Sequence, residues 1–205
     1  RVILGVFAHP DDETTSSAGT MCRYVKEGVQ IYILTATRGE MGALGTGDVK
    51  YTREELPAVR ERELREALKR YGVHAPMFMG YRDAEVIKAD FAELTGKIET
   101  ELFRLQPDMV ITFGPQGISK HPDHITLHKA AVIAFKNYRM KAEHEVVLYY
   151  VAIPKEAAKE FGLDLDGPEV DANVIIDITP DFKTKIWALR NYRSQEDAQQ
   201  IAKMF

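Results

Sequence analysis

The chain has 205 residues and a net charge of −4, from 27 Lys and Arg against 31 Asp and Glu. That length suits one α/β domain over residues 1–205 with a sizeable core, and the acidic balance excludes the basic stripe of a nucleic-acid binder. The single cysteine, Cys22, excludes an internal disulfide, and no apolar run approaches the roughly 20 residues of a membrane span, so a reducing, cytoplasmic setting is expected.

An apolar run opens the chain, Val2-Ile3-Leu4-Gly5-Val6-Phe7-Ala8, and breaks into His9-Pro10-Asp11-Asp12-Glu13. Such a run reads as a buried parallel strand. Residues 14–27 read as a helix and 29–35 as a second strand. Residues 38–51 carry Gly39, Gly42, Gly45 and Gly47; a connection of that length is expected to be mobile and to gate a site. Thr52 and Glu55 have capping-box spacing for a helix reaching about Tyr71, and its Arg60-Glu61-Arg62-Glu63 stretch reads as a solvated face. A short strand at 77–79 and a helix over 91–105 follow. Asp108-Met109-Val110-Ile111-Thr112-Phe113-Gly114 is another buried strand, leading to His121-Pro122-Asp123-His124 and a helix to about Tyr138. Residues 146–153 and 174–178 read as further strands, and a helix closes the chain from Asp181. Strands alternating with helices imply an α/β, Rossmann-like three-layer sandwich with a mostly parallel central sheet.

In open α/β sheets ligands bind beyond the carboxyl ends of the strands, at a switch in strand order. The two blocks therefore bring imidazoles and carboxylates to the place where chemistry is usually done. Zinc takes both donor types, and a catalytic site has three protein ligands plus an open position. Three of the His and Asp groups in the two blocks suffice as ligands, leaving the fourth and Asp11 to handle protons. Two histidines and a carboxylate also describe non-haem iron sites. Asp11 beside them favours hydrolysis, hence zinc, with ferrous iron as the alternative. Glu13 reads as a helix-start carboxylate, Asp123 as the cap of the helix opening at His124, and His128 as a weaker ligand candidate four residues beyond His124. No G-x-G-x-x-G follows the first strand, and neither a Walker A nor an H-E-x-x-H sequence occurs.

Ala8-His9-Pro10-Asp11-Asp12-Glu13 and His121-Pro122-Asp123-His124 resemble the hallmark blocks of the PIG-L/LmbE-like, zinc-dependent de-N-acetylases. The resemblance extends to Thr37-Arg38-Gly39-Glu40-Met41-Gly42, to Arg60-Glu61-Arg62-Glu63-Leu64, to Gly80-Tyr81-Arg82-Asp83 and to Ser194-Gln195. It implies His9, Asp12 and His124 as metal ligands, Asp11 as general base and His121 as a polar helper at the scissile amide. Arg60 and Asp83 match positions that contact sugar hydroxyls or phosphate in some members, and Arg38 and Glu40 are further candidates for holding substrate. Two positions depart from the pattern: Ser119-Lys120 stands before the second block, placing a cation at its mouth, and Tyr192 stands where the family often has a histidine. The implied activity is hydrolytic removal of an N-acetyl group from an N-acetylglucosamine-type sugar or conjugate by metal-bound water, with that small molecule as the partner. The alternatives are a thiol-conjugate amidase on the same scaffold and a non-catalytic metal- or sugar-binding protein. The sequence leaves open whether the chain forms a homo-oligomer.

Overall fold

The computed structural model describes residues 1–204. Its centre is a five-stranded sheet in the order β3-β2-β1-β4-β5, built from β1 (Val2–Phe7), β2 (Gln30–Thr35), β3 (Met77–Phe78), β4 (Met109–Thr112) and β5 (Val147–Tyr150). Every pairing is parallel; Ile3, for example, faces Ile31 on one side and Met109 on the other. Parallel strands need crossovers, and helices supply them: α1 (Asp12–Lys26), α2 (Leu56–Tyr71), α3 (Phe91–Leu105), the short α4 (Gly117–Lys120) and α5 (Pro122–Arg139), followed by α6 (Lys155–Glu160), α7 (Phe182–Asn191) and α8 (Glu196–Lys203). Leu4, Val6, Phe7, Ile31, Ile33 and Val110 from the strands pack against Leu64, Leu68, Leu94, Ile98, Leu127 and Ala131 from the helices in one buried core. Each large apolar side chain so buried contributes about 1.5–3 kcal/mol. No helix among the described residues is long and apolar enough to cross a membrane.

The chain runs outward from β1 through β2 to β3, then returns to the other side of β1 for β4 and β5. The order therefore reverses at β1, and the crevice between the ends of β1 and β4 is the switch point. His9 leaves the end of β1, and the 121–124 block follows β4.

Three expectations need correction. Residues 174–178 form no strand: Ile178 fills the space left by Gly19 of α1, where an added Cβ would lie 2.6 Å from it, and Arg23 donates to the Asp177 carbonyl at 3.1 Å. The run lies across a helix, away from any sheet edge, and leaves Val174 and Ile175 exposed. The closing helix is two helices, broken where Tyr192 and Ser194 turn their side chains inward to Glu13 and Glu63. The third concerns α2, whose supposed solvated face buries Arg60 and Glu63 along the stripe of Leu56, Val59, Leu64 and Ala67. The expected capping box does form ahead of it, with Thr52 N–H on Glu55 and Glu55 N–H on Thr52 Oγ1.

Candidate metal centre

His9 Nδ1 and His124 Nε2 face each other at 3.0 Å, and the Asp12 carboxylate lies 3.5 Å from each. The far side of each ring decides what these nitrogens are. His124 Nδ1 is 2.9 Å from the Gly117 carbonyl, an acceptor only, so the ring proton sits there and the Nε2 lone pair points inward. His9 Nε2 lies 3.0 Å from Asp83 Oδ1 and 3.5 Å from Asp123 Oδ2, and these carboxylates favour a proton on that side of the ring; His9 Nδ1 is then left to share a proton with His124 Nε2 or, once that proton is gone, to offer a lone pair beside it. Two ring nitrogens and a carboxylate converge in a buried space, where a cation can replace the proton shared between the rings. A tetrahedral ion with bonds of about 2.0–2.2 Å would space its ligand atoms by about 3.4 Å, so the donor set fits a divalent metal. Asp12 is aimed by its own turn, since the His9 backbone N–H donates to Asp12 Oδ2 at 2.7 Å.

Without a cation, charge is shared unevenly over these groups. Burial pulls the His9 pKa down, but Asp12, Asp123 and Asp83 outweigh it and hold the ring well above the ordinary imidazole value. Burial pushes His124 below that value. Asp12 is held well below the carboxylate range, against its burial, by the His124 and His9 rings. Against its own burial, His9 holds Asp83 down to about 2, helped by the Met41 N–H.

Asp11 is a left-handed residue with φ 109°, its N–H on Glu13 Oε2 at 3.1 Å and its Oδ2 accepting from Arg60 Nη2 at 3.0 Å. Burial raises its pKa well above the usual value, although the Arg60 guanidinium opposes this. Arg60 also donates to the carbonyls of Pro10 and Gly39. Glu13 is fully buried and accepts from Thr14 Oγ1 and Tyr192 Oη. Tyr192, where the family often has a histidine, thus holds the carboxylate that holds the Asp11 turn.

His121 caps α5, in the role expected of Asp123: its Nδ1 accepts from the Asp123 N–H at 3.2 Å. Its ring centroid is 4.9 Å from those of both His9 and His124. Asp123 instead lies buried: its Oδ2 accepts from the Ala84 N–H at 2.8 Å and lies 3.5 Å from His9 Nε2, while its Oδ1 faces the Ile87 N–H. His128 points away from the centre, with Nδ1 on the Phe113 carbonyl at 2.8 Å. Lys120 is paired with Asp164 at 2.6 Å. Arg38 is bound to Glu61 at 2.6 Å and stacked over Phe78, while Glu40 accepts from the Asp83 N–H at 3.1 Å. The glycine-rich segment expected to gate the site is tied down by Arg53 on the carbonyls of Glu40 and Gly42, by the Met41 N–H on Asp83, and by Thr46 on the Arg193 carbonyl. Beside it lies a surface pocket lined by Glu40, Arg53, Tyr81 and Arg82.

Gly39 has φ 68°, and a Cβ there would run into the Arg60 guanidinium. Gly39→Ala is therefore expected to lower stability by about 1–3 kcal/mol, read as a lower denaturant midpoint. An unchanged midpoint would show that the Arg60 bridge does not need this close approach.

An α/β sheet that gathers His9, His121, His124 and the carboxylates of Asp12, Asp83 and Asp123 at its switch point holds a candidate metal site. Residues 4–135 match the PIG-L family described as GlcNAc-PI de-N-acetylase, and the chain belongs to that family. It is 32% identical over 199 residues to a probable N-acetyl-alpha-D-glucosaminyl L-malate deacetylase 2 of Bacillus cereus, covering 97% of this chain and 85% of that protein. It is 28% identical over 232 residues to a 1D-myo-inositol 2-acetamido-2-deoxy-alpha-D-glucopyranoside deacetylase of a Mycobacterium species, covering 94% and 73%. Among solved structures, N,N'-diacetylchitobiose deacetylase from Pyrococcus horikoshii shares the fold with a TM-score of 0.74 at 24% identity, over 100% of this chain and 75% of that one.

Proposed function

We propose that the protein is a zinc-dependent N-deacetylase that hydrolyses the acetamide of an N-acetylglucosamine-type sugar or conjugate. The observation that carries this reading is the convergence of two imidazole nitrogens, His9 Nδ1 and His124 Nε2 at 3.0 Å, with the Asp12 carboxylate across from them. Its setting is a family whose relatives above are named as deacetylases of glucosamine conjugates. His9, Asp12 and His124 would hold the metal, zinc by preference and ferrous iron as the alternative. When bound, such an ion lowers the pKa of a coordinated water toward about 7 and polarises a carbonyl.

The protein's own groups do the rest. Arg60 holds Asp11 Oδ2, leaving Oδ1 to accept a proton from the attacking water. Burial keeps the resulting acid stable enough to pass that proton to the leaving amine. Because the Asp123 N–H occupies His121 Nδ1, the neutral His121 ring carries its proton on Nε2, a donor suited to the developing oxyanion. Arg60 and Asp83, matched by resemblance to sugar-contacting positions, serve here as positioning residues for Asp11 and His9. Arg38 and Glu40 shape the rim on which the sugar rests, and the pocket at Arg53 and Arg82 receives the remainder of the conjugate. The single cysteine, Cys22, fits a reducing cytoplasm.

The test is acetate release from a panel of N-acetylglucosamine conjugates, with and without chelator and after re-addition of zinc or iron. Chelator-sensitive acetate release restored by zinc is expected. Cleavage of a bulkier amide with no acetate formed would identify a thiol-conjugate amidase instead. Metal and sugar binding without turnover would identify a binding protein.

A further inference from the structure

The loop between β4 and α5 carries unusual backbone: Gly117, Ile118 and Lys120 all have positive φ, at 65°, 64° and 58°. For glycine this is ordinary, but a β-branched isoleucine there is strained and needs its surroundings to hold it. The surroundings include one side chain from far along the chain. Glu169, in the single turn Gly167–Glu169, is fully buried; its Oε2 accepts from the Gln116 N–H at 2.6 Å and its Oε1 from the Ile118 N–H at 2.8 Å. Its stem packs so closely on Gly114 that a Cβ there would strike it. The residue between the two bonded amides is Gly117, whose carbonyl accepts from His124 Nδ1 at 2.9 Å and whose Cα is packed against His124; an added Cβ would lie 2.7 Å from His124 Cβ.

We infer that Glu169 is a positioning residue of the metal centre: by gripping the Gln116 and Ile118 amides it fixes the Gly117 carbonyl, which sets the ring orientation and tautomer of His124. The inference rests on reading His9, Asp12 and His124 as ligands of a divalent metal. The neighbouring ties, Gln116 Nε2 to Asp166 Oδ1 and Lys120 to Asp164, lie at the surface and do not touch the Gly117 peptide. Outer groups that orient a ligating histidine typically change metal affinity or activity by about 10–100-fold when removed.

The experiment uses the full chain loaded with cobalt(II), whose visible d–d bands report coordination geometry. It compares wild type with Glu169→Gln, Gly114→Ala and Asp164→Asn. Glutamine keeps the size of Glu169 but turns an amide nitrogen toward one of the two N–H groups. The Gly114 variant displaces the same carboxylate from the other side. Cobalt affinity, measured by chelator competition, is expected to fall by about 10–100-fold in both, with shifted d–d bands. Asp164→Asn should leave both readouts at wild-type values, since an exposed ion pair contributes little. A merely structural Glu169 would lower the melting temperature of the metal-free protein while affinity and spectrum stayed unchanged. That result overturns the inference, and Gly114→Ala decides it if Glu169→Gln does not fold. A wild-type chain that took up no cobalt would remove the metal centre itself, and the role of Glu169 with it.

Discussion

Asp11→Asn is expected to keep its metal and lose on the order of 10²–10⁴ in turnover, the usual cost of removing a general base. The substitution is close to isosteric. Asparagine tolerates positive φ better than most residues, its backbone N–H can still reach Glu13, and its carboxamide oxygen can still accept from Arg60. Arg60 retains the Pro10 and Gly39 carbonyls when the Asp11 charge is gone. What disappears is the oxygen able to take a proton from water. Steady-state acetate release together with metal content checks the outcome. Full activity in the metal-loaded variant would reassign the base, and Glu13 could not inherit the role. Its carboxylate is enclosed by the Asp11 N–H, the Thr14 hydroxyl and the Tyr192 hydroxyl. His121 would then be the remaining candidate.

The two candidate ligand blocks were legible in the sequence because each is a local string at the end of an apolar run, and the run fixes where the string emerges. His9 and Asp12 share one turn; His121 and His124 share the start of one helix. The groups behind them were legible only in part. Arg60 and Glu63 sit in alternating charges that mimic a solvated helix, yet their spacing from Leu56, Val59 and Leu64 puts them on the apolar stripe. A charged pair on that stripe was the available signal. Asp123 was visible in its block, but capping was the simpler reading. Its true contacts, to Ala84 and His9, depend on how the segment after β3 returns beneath α5. Glu169 carries no local signal, since its partners are backbone amides about fifty residues earlier. Residues 174–178 show the limit of pattern alone, because a β-branched run looks the same whether it joins a sheet or lies over a helix. The break in the closing helix lacks Gly or Pro and is set by tertiary bonds from Tyr192 and Ser194.

His124→Ala is expected to abolish the link between zinc and stability as well as turnover. A ligand that binds the folded chain alone stabilises it by RT ln(1 + [L]/Kd), or about 2.7 kcal/mol at a hundredfold excess over Kd. For a chain of this size that corresponds to a rise in Tm of roughly 5–10 °C. Wild type should show this rise with zinc and lose it with chelator. The variant should melt at one temperature in both conditions. Its metal-free form should still fold, because burial already disfavours the charged form of this ring and the substitution removes only two of its contacts. What it gives up is stacking on Phe113 at 4.0 Å and the bond to the Gly117 carbonyl. The comparison with Asp11→Asn separates the two kinds of residue. A base variant keeps the zinc-dependent rise and loses turnover, whereas a ligand variant loses both. If His124→Ala showed the wild-type rise with zinc, His9 and Asp12 would have to complete the site with a different third group. His121, whose ring centroid is 4.9 Å from that of His9 and which can share an ion with it, would be the residue to substitute next.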